Sequence, residues 1–238
     1  QVVSKINTTI LSTTVICLLL FLTICIFSSA VALNDSANSE IDELVPVDLQ
    51  MITNVKDSQM TVKEYLNSNN INLNDEINLQ EELNFETYYS DELTYGDTYG
   101  NMYSDVSEEF LNEHERIIGV SAYNQVAKLY NLPTYQLENE YVVMGNYNNV
   151  CNIRNMVLKN KPDIELNGKV YHSKFASCQY GFLTIQSSPA DMGFYIVPDE
   201  AVKNLNVDES FLIGNYSSSK AKRDEINETK YFAIRKSL

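Results

Sequence analysis

The 238-residue chain has no Trp, two His, four Cys, five Pro and eight Gly. Each scarcity excludes something. Four cysteines are too few for a disulfide-dense small scaffold. Two separated histidines and two distant cysteines outside the apolar segment give no zinc spacing, since such a site needs three or four nitrogen or sulfur ligands. His114 lies in the charged run Glu113-His114-Glu115-Arg116 and reads as solvent-facing rather than catalytic. No G-x-S-x-G, H-E-x-x-H, C-x-x-C or P-loop run occurs. The expectation is a protein that is not an enzyme, with no catalytic residues, no cofactor and no metal. No internal repeat and no Pro- or Gly-rich linker is evident.

Basic charge is the other scarcity. Lys and Arg total 17 against 32 Asp and Glu, a net charge of −15. Phosphate neutralisation needs a basic face, so nucleic acid is excluded as a partner. A polybasic membrane-surface binder is excluded on the same ground. The acids are not spread evenly. From Glu64 through Glu115 there is no Lys or Arg against 14 acids, interleaved with Tyr88, Tyr89, Tyr95, Tyr99 and Tyr103. The last 20 residues are comparatively basic.

What the chain does have is one long apolar run. Ile10 to Leu33 is 24 residues without a charge, and 14 of them are Leu, Ile, Val or Phe. At helical rise it spans roughly 36 Å, enough for a hydrocarbon core about 30 Å thick. Two readings stand. The segment is a transmembrane helix, or it is a signal peptide cut after Ala30-Val31-Ala32. The organisation expected on the first reading is a cytoplasmic flank over 1–9, a transmembrane helix over 10–33 and an extracellular domain over 34–238. Lys5 before the run and Asp35, Glu40, Asp42 and Glu43 after it set that orientation. All 32 acids and 16 of the 17 basic residues fall in the exterior part, which carries −16.

The exterior part mixes strand and helix patterns without a βαβ repeat, so the class is α+β: one N-terminal transmembrane helix followed by a mixed extracellular domain. Val47–Val55 reads as a strand, and Asp57–Asn69 as a helix with an N-cap pattern at Thr61-Val62-Lys63-Glu64. The stretch from Asn70 to Asp105 reads as turn-rich, and the acidic Tyr-rich insertion occupies about 70–115. Ser121–Asn131 reads as a helix with Ser121 as N-cap. Thr134–Leu137 and Tyr141–Asn146 read as strands, Asn149–Leu158 as a helix, and Ile164–Tyr171 as a hairpin around Asn167-Gly168. Phe182–Gln186, Phe194–Val197 and Phe211–Tyr216 read as strands, with helices opening at Pro198 and over Ser217–Thr229.

The acidic Tyr-rich stretch is the candidate ligand surface: Tyr88, Tyr89, Asp91, Glu92, Tyr95, Asp97, Tyr99 and Tyr103. Acids with Tyr and Asn suit a cationic or amphipathic partner. Asp91, Glu92, Asp97 and Asp105 could supply calcium oxygens, but their spacing is not that of an EF-hand loop, and a solvated acidic loop is the simpler reading. Cys151 and Cys178 form either a disulfide closing a loop of about 27 residues, worth roughly 3 kcal/mol, or two buried free thiols. Cys17 and Cys25 are packing residues of the apolar segment.

Several phrases together resemble a known family. They are Ser4-Lys5-Ile6-Asn7-Thr8 leading into Val15-Ile16-Cys17-Leu18-Leu19-Leu20-Phe21-Leu22-Thr23-Ile24, then Glu43-Leu44-Val45-Pro46-Val47-Asp48-Leu49. Gly119-Val120-Ser121-Ala122-Tyr123-Asn124-Gln125-Val126-Ala127-Lys128-Leu129, Leu137-Glu138-Asn139-Glu140-Tyr141, Phe194-Tyr195-Ile196-Val197-Pro198-Asp199-Glu200 and Ile213-Gly214-Asn215-Tyr216 follow. This run resembles FtsX-like permease subunits of bacitracin-type peptide-antibiotic ABC transporters of Gram-positive bacteria. The resemblance implies a ten-helix permease in the cell membrane, of which this chain holds the seventh helix and most of the large extracellular domain. It implies a separate cytoplasmic ATP-binding subunit, a partner histidine kinase in signalling members, and recognition of peptide antibiotics or lipid-linked cell-wall precursors. It carries no ligand-site residues. The alternative is a membrane-anchored or secreted binding protein unconnected to a transporter.

Overall fold

The computed structural model describes residues 2–73, 79–99 and 107–216. The chain divides into two compact units between Leu44 and Val45. The first unit is a single helix, Val2–Leu44. Within it Thr13–Ser36 is long and apolar enough to cross a membrane. Two of its hydroxyls bond inside the helix: Thr23 Oγ1 donates to the Leu20 carbonyl at 2.8 Å, and Ser29 Oγ to the Cys25 carbonyl at 2.8 Å. Such back-bonding hides a polar group from hydrocarbon without a neighbouring helix.

The second unit is a mixed α+β domain on a nine-stranded sheet. Its strands are β1 (Leu49–Asn54), β2 (Leu79–Tyr89), β3 (Ile117–Gly119), β4 (Glu140–Gly145), β5 (Asp163–Leu166), β6 (Lys169–Ser173), β7 (Gln179–Tyr180), β8 (Phe194–Val197) and β9 (Asn206–Tyr216). The order is β1-β9-β2-β3-β8-β4-β6-β5, with β7 also paired to β4. The pairs β3–β8, β4–β6 and β4–β7 are parallel and the rest antiparallel. Strand β8 is buried along its whole length and β4 over all but its first residue, as expected where apolar runs form a sheet interior. β5 alternates instead, with Ile164 and Leu166 inward and Asp163 and Glu165 outward.

β1, first in the chain, pairs with β9, last of the described strands, in the register Leu49↔Gly214. Side chains fasten that end. The Asp48 N–H donates to Asn215 Oδ1 at 3.1 Å, and the Tyr216 N–H to Asp48 Oδ2 at 3.0 Å.

Five local expectations are corrected. The stretch from Asn70 to Asp105 contains β2, an 11-residue strand laid between β9 and β3. Its alternation is masked by two register shifts, the first at Gln80/Leu83, where Glu81 takes φ 53°. The helix at Thr61 begins there, as Val62–Ser68, with its capping box formed by Thr61 and Glu64, and a separate turn of helix, Val55–Ser58, precedes it. Ser121 is not the N-cap of the next helix, which runs Val120–Leu129 behind Gly119. Asp199 caps it from across the fold, accepting from the Ser121 N–H at 2.9 Å and from the Ser121 hydroxyl. Thr134–Leu137 and Phe182–Gln186 are not strands. The helix expected over 217–229 lies outside the described residues.

Candidate functional site

The helix Asn148–Leu158 buries Val150, Arg154 and Leu158, spaced four apart on one face. Arg154 is 2% exposed. Its Nη1 and Nη2 each donate at 2.8 Å to the two carboxylate oxygens of Glu115, a fully buried residue, and its Nε donates to the Met192 carbonyl at 2.9 Å. The Thr98 hydroxyl donates to Glu115 Oε1 as well. The guanidinium carbon lies 4.9 Å from the Tyr99 ring centroid and 5.8 Å from that of Tyr195. Burial alone would lower the guanidinium pKa; the Glu115 carboxylate outweighs it and raises the value well above ordinary arginine. The backbone opposite is Gly193, at φ 121°. A Cβ there would lie 2.7 Å from the Met144 carbonyl and 2.9 Å from Arg154 Nε, so only glycine lets the chain pass.

Over this pair sits a cavity of about 170 Å3. Its apolar and aromatic wall includes Tyr141, Leu158, Ile164 and Tyr195. Tyr141 and Tyr195 have ring centroids 5.5 Å apart, and the Tyr141 hydroxyl donates to the Pro162 carbonyl at 2.7 Å. Its rim carries four exposed acids, Glu92, Asp97, Asp163 and Glu165. With Arg154 neutralised by Glu115, the rim sets the sign of the site. An acid-rimmed aromatic cavity attracts a cation and gives its apolar part a dry surface.

The sequence-predicted ligand residues divide. Glu92 and Asp97 line the cavity, and Tyr99 is the buried ring packed on Arg154. Glu92 accepts from the Asn167 N–H at 3.0 Å, while Asp97 accepts from the Thr94 N–H at 2.9 Å. Tyr95 stacks instead on Phe110, with centroids 4.9 Å apart. Tyr88 donates to Glu86 at 3.2 Å, and burial followed by the Glu86 charge pushes its hydroxyl up to about 12. Tyr89 stacks on His114, and Asp91 lies 3.6 Å from His114 Nε2. Tyr103 lies outside the described residues. The seven described residues do not form one patch.

Sequence reasoning missed Arg154, Glu115, Tyr141, Asp163, Glu165 and Tyr195. One signal was present: a charged residue at the centre of a Val-Arg-Leu stripe requires a buried counter-charge. Among the described residues, no group of three or more His, Cys, Asp or Glu could hold a metal ion. Cys151 and Cys178 are free thiols with sulfurs 3.5 Å apart.

No family model and no curated protein matches the chain. Among solved structures it is similar to a "Putative Lipoprotein from Bacillus anthracis", at 10% identity and a TM-score of 0.39, with 79% of this chain and 90% of that chain covered.

Proposed function

We propose that this chain is part of an FtsX-like permease of a peptide-antibiotic ABC transporter. In this reading Thr13–Ser36 spans the cell membrane and the second unit lies outside it. The second unit recognises cationic peptide antibiotics, or lipid-linked cell-wall precursors complexed with them, for resistance or sensing. The observation that carries the reading is the acid-rimmed aromatic cavity at Glu92, Asp97, Asp163 and Glu165. The pairing of β1 with β9 supports it too, because adjoining first and last described strands suit a position between two membrane-crossing segments. ATP hydrolysis belongs to a separate cytoplasmic subunit. The same cavity would serve a membrane-anchored or secreted binding protein unconnected to a transporter.

Titration calorimetry with bacitracin and the full chain in detergent micelles tests the site. Neutralising three rim acids together, as E92Q/D163N/E165Q, weakens binding about tenfold and flattens its salt dependence. Unchanged affinity and unchanged salt slope would remove the cavity from consideration. Co-purification from native membranes separates the two readings: a stoichiometric ATP-binding subunit supports the permease, and its absence supports the free-standing binding protein.

A further inference from the structure

Outside the cavity, two half-buried cysteines converge. Cys151 is in the first turns of the helix Asn148–Leu158, its N–H donating to the Tyr147 carbonyl at 2.9 Å. Cys178 precedes β7 and is held by the same helix, since its N–H donates to Asn155 Oδ1 at 2.7 Å. The sulfurs are 3.5 Å apart, with Cys178 Sγ placed as donor to Cys151 Sγ. Room for both is made by Gly145 on β4: a Cβ there would lie 3.1 Å from Cys151 Sγ and 3.4 Å from Cys178 Sγ. Three features thus serve one juxtaposition: a helix, an asparagine clamp and a missing side chain.

We propose that Cys151 and Cys178 are a dithiol–disulfide exchange site, with Cys151 as the attacking sulfur, Cys178 as the resolving sulfur and a small-molecule disulfide as the reactant. The Cys151 thiolate attacks one sulfur of the incoming disulfide. That sulfur–sulfur bond breaks, one thiolate leaves, and a mixed disulfide forms on Cys151. Cys178 then loses its proton to solvent and attacks Cys151 Sγ, expelling the second thiolate. The protein pair is oxidised by two electrons, and the incoming disulfide is reduced to two thiols. The order follows from the environment of each sulfur. The hydrogen bond from Cys178 lowers the Cys151 thiol, against the effect of burial. Donating that bond, together with burial, raises Cys178. The lower thiol supplies more nucleophile at neutral pH. The product bond ties the helix that carries Arg154 to the segment before β7, and the proposal does not depend on what the cavity binds.

The test treats the full chain in detergent with oxidised glutathione, quenches by alkylation and maps the peptides, so that Cys17 and Cys25 are read separately. The expected product is a Cys151–Cys178 linked peptide, released by dithiothreitol. C178S accumulates one glutathione on Cys151, whereas C151S gains it on Cys178 at least about tenfold more slowly. Alkylatable thiols at both positions in the oxidised wild-type chain, or equal adduct rates in the two variants, would overturn the proposal.

Discussion

Arg154 shares its helix face with Val150 and Leu158, and among the described residues Glu115 is the acid it pairs with. Removing one partner leaves the other charged, buried and unmatched. Arg154→Met or Glu115→Gln is expected to cost about 3–5 kcal/mol of unfolding free energy in urea titrations. The double variant Arg154→Met/Glu115→Leu costs less than either single change, because both charges go together. Gly193 and Gly168 provide a paired contrast. Both have positive φ, but a Cβ at Gly168 meets nothing within 4 Å, whereas one at Gly193 meets backbone and guanidinium. Gly168→Ala therefore costs about 1 kcal/mol from backbone strain, and Gly193→Ala at least about twice that from strain and clash. Glu209 titrates in the opposite sense to a salt-bridged surface acid. Burial raises its carboxyl pKa, only partly offset by Arg116, so the native state holds a proton more readily than the unfolded chain. Its penalty is complete above the folded pKa and vanishes below the unfolded one. Stability from this group thus rises as pH falls from 7 towards the ordinary glutamate range, and Glu209→Gln flattens that slope in denaturation curves measured across it.

At the scale of elements, local chemistry was legible where it stayed local. The capping box at Thr61 and Glu64 forms as its spacing implies, and the Asn167-Gly168 turn takes φ 53° and 73°, the two left-handed residues of a tight hairpin. Thr61→Ala is expected to cost about 1 kcal/mol by thermal denaturation, through loss of the side-chain acceptor for the Glu64 N–H. Elements decided by distant partners were not legible. β2 reads as polar because Glu81, Glu82, Asn84 and Glu86 crowd its sequence, yet Phe85 stacks on Phe211 of β9 at 4.6 Å and pins it inside the sheet. Ser121 resembles an N-cap, but the cap is Asp199, 78 residues away. The candidate site divides in the same way. Glu92 and Asp97 stand out in an acidic stretch, whereas Asp163 and Glu165 belong to a hairpin whose place beside Arg154 is a product of sheet order.

For the whole molecule, the apolar helix and the mixed sheet domain follow from one compositional break: an uncharged run, then every acid in the chain. The class was therefore readable, while the strand order was not, since β9 must travel back between β1 and β2. That return has a mechanical consequence. Leu49 and Gly214 are opposite rungs at the same end of an antiparallel ladder, closed by Asp48 and Asn215. A tension drawing Val47 and Tyr216 apart would load those rungs singly, as a zipper opens, and never all together in shear. The domain would yield first along β1, at low force and in small steps, with the Arg154 side of the sheet still intact.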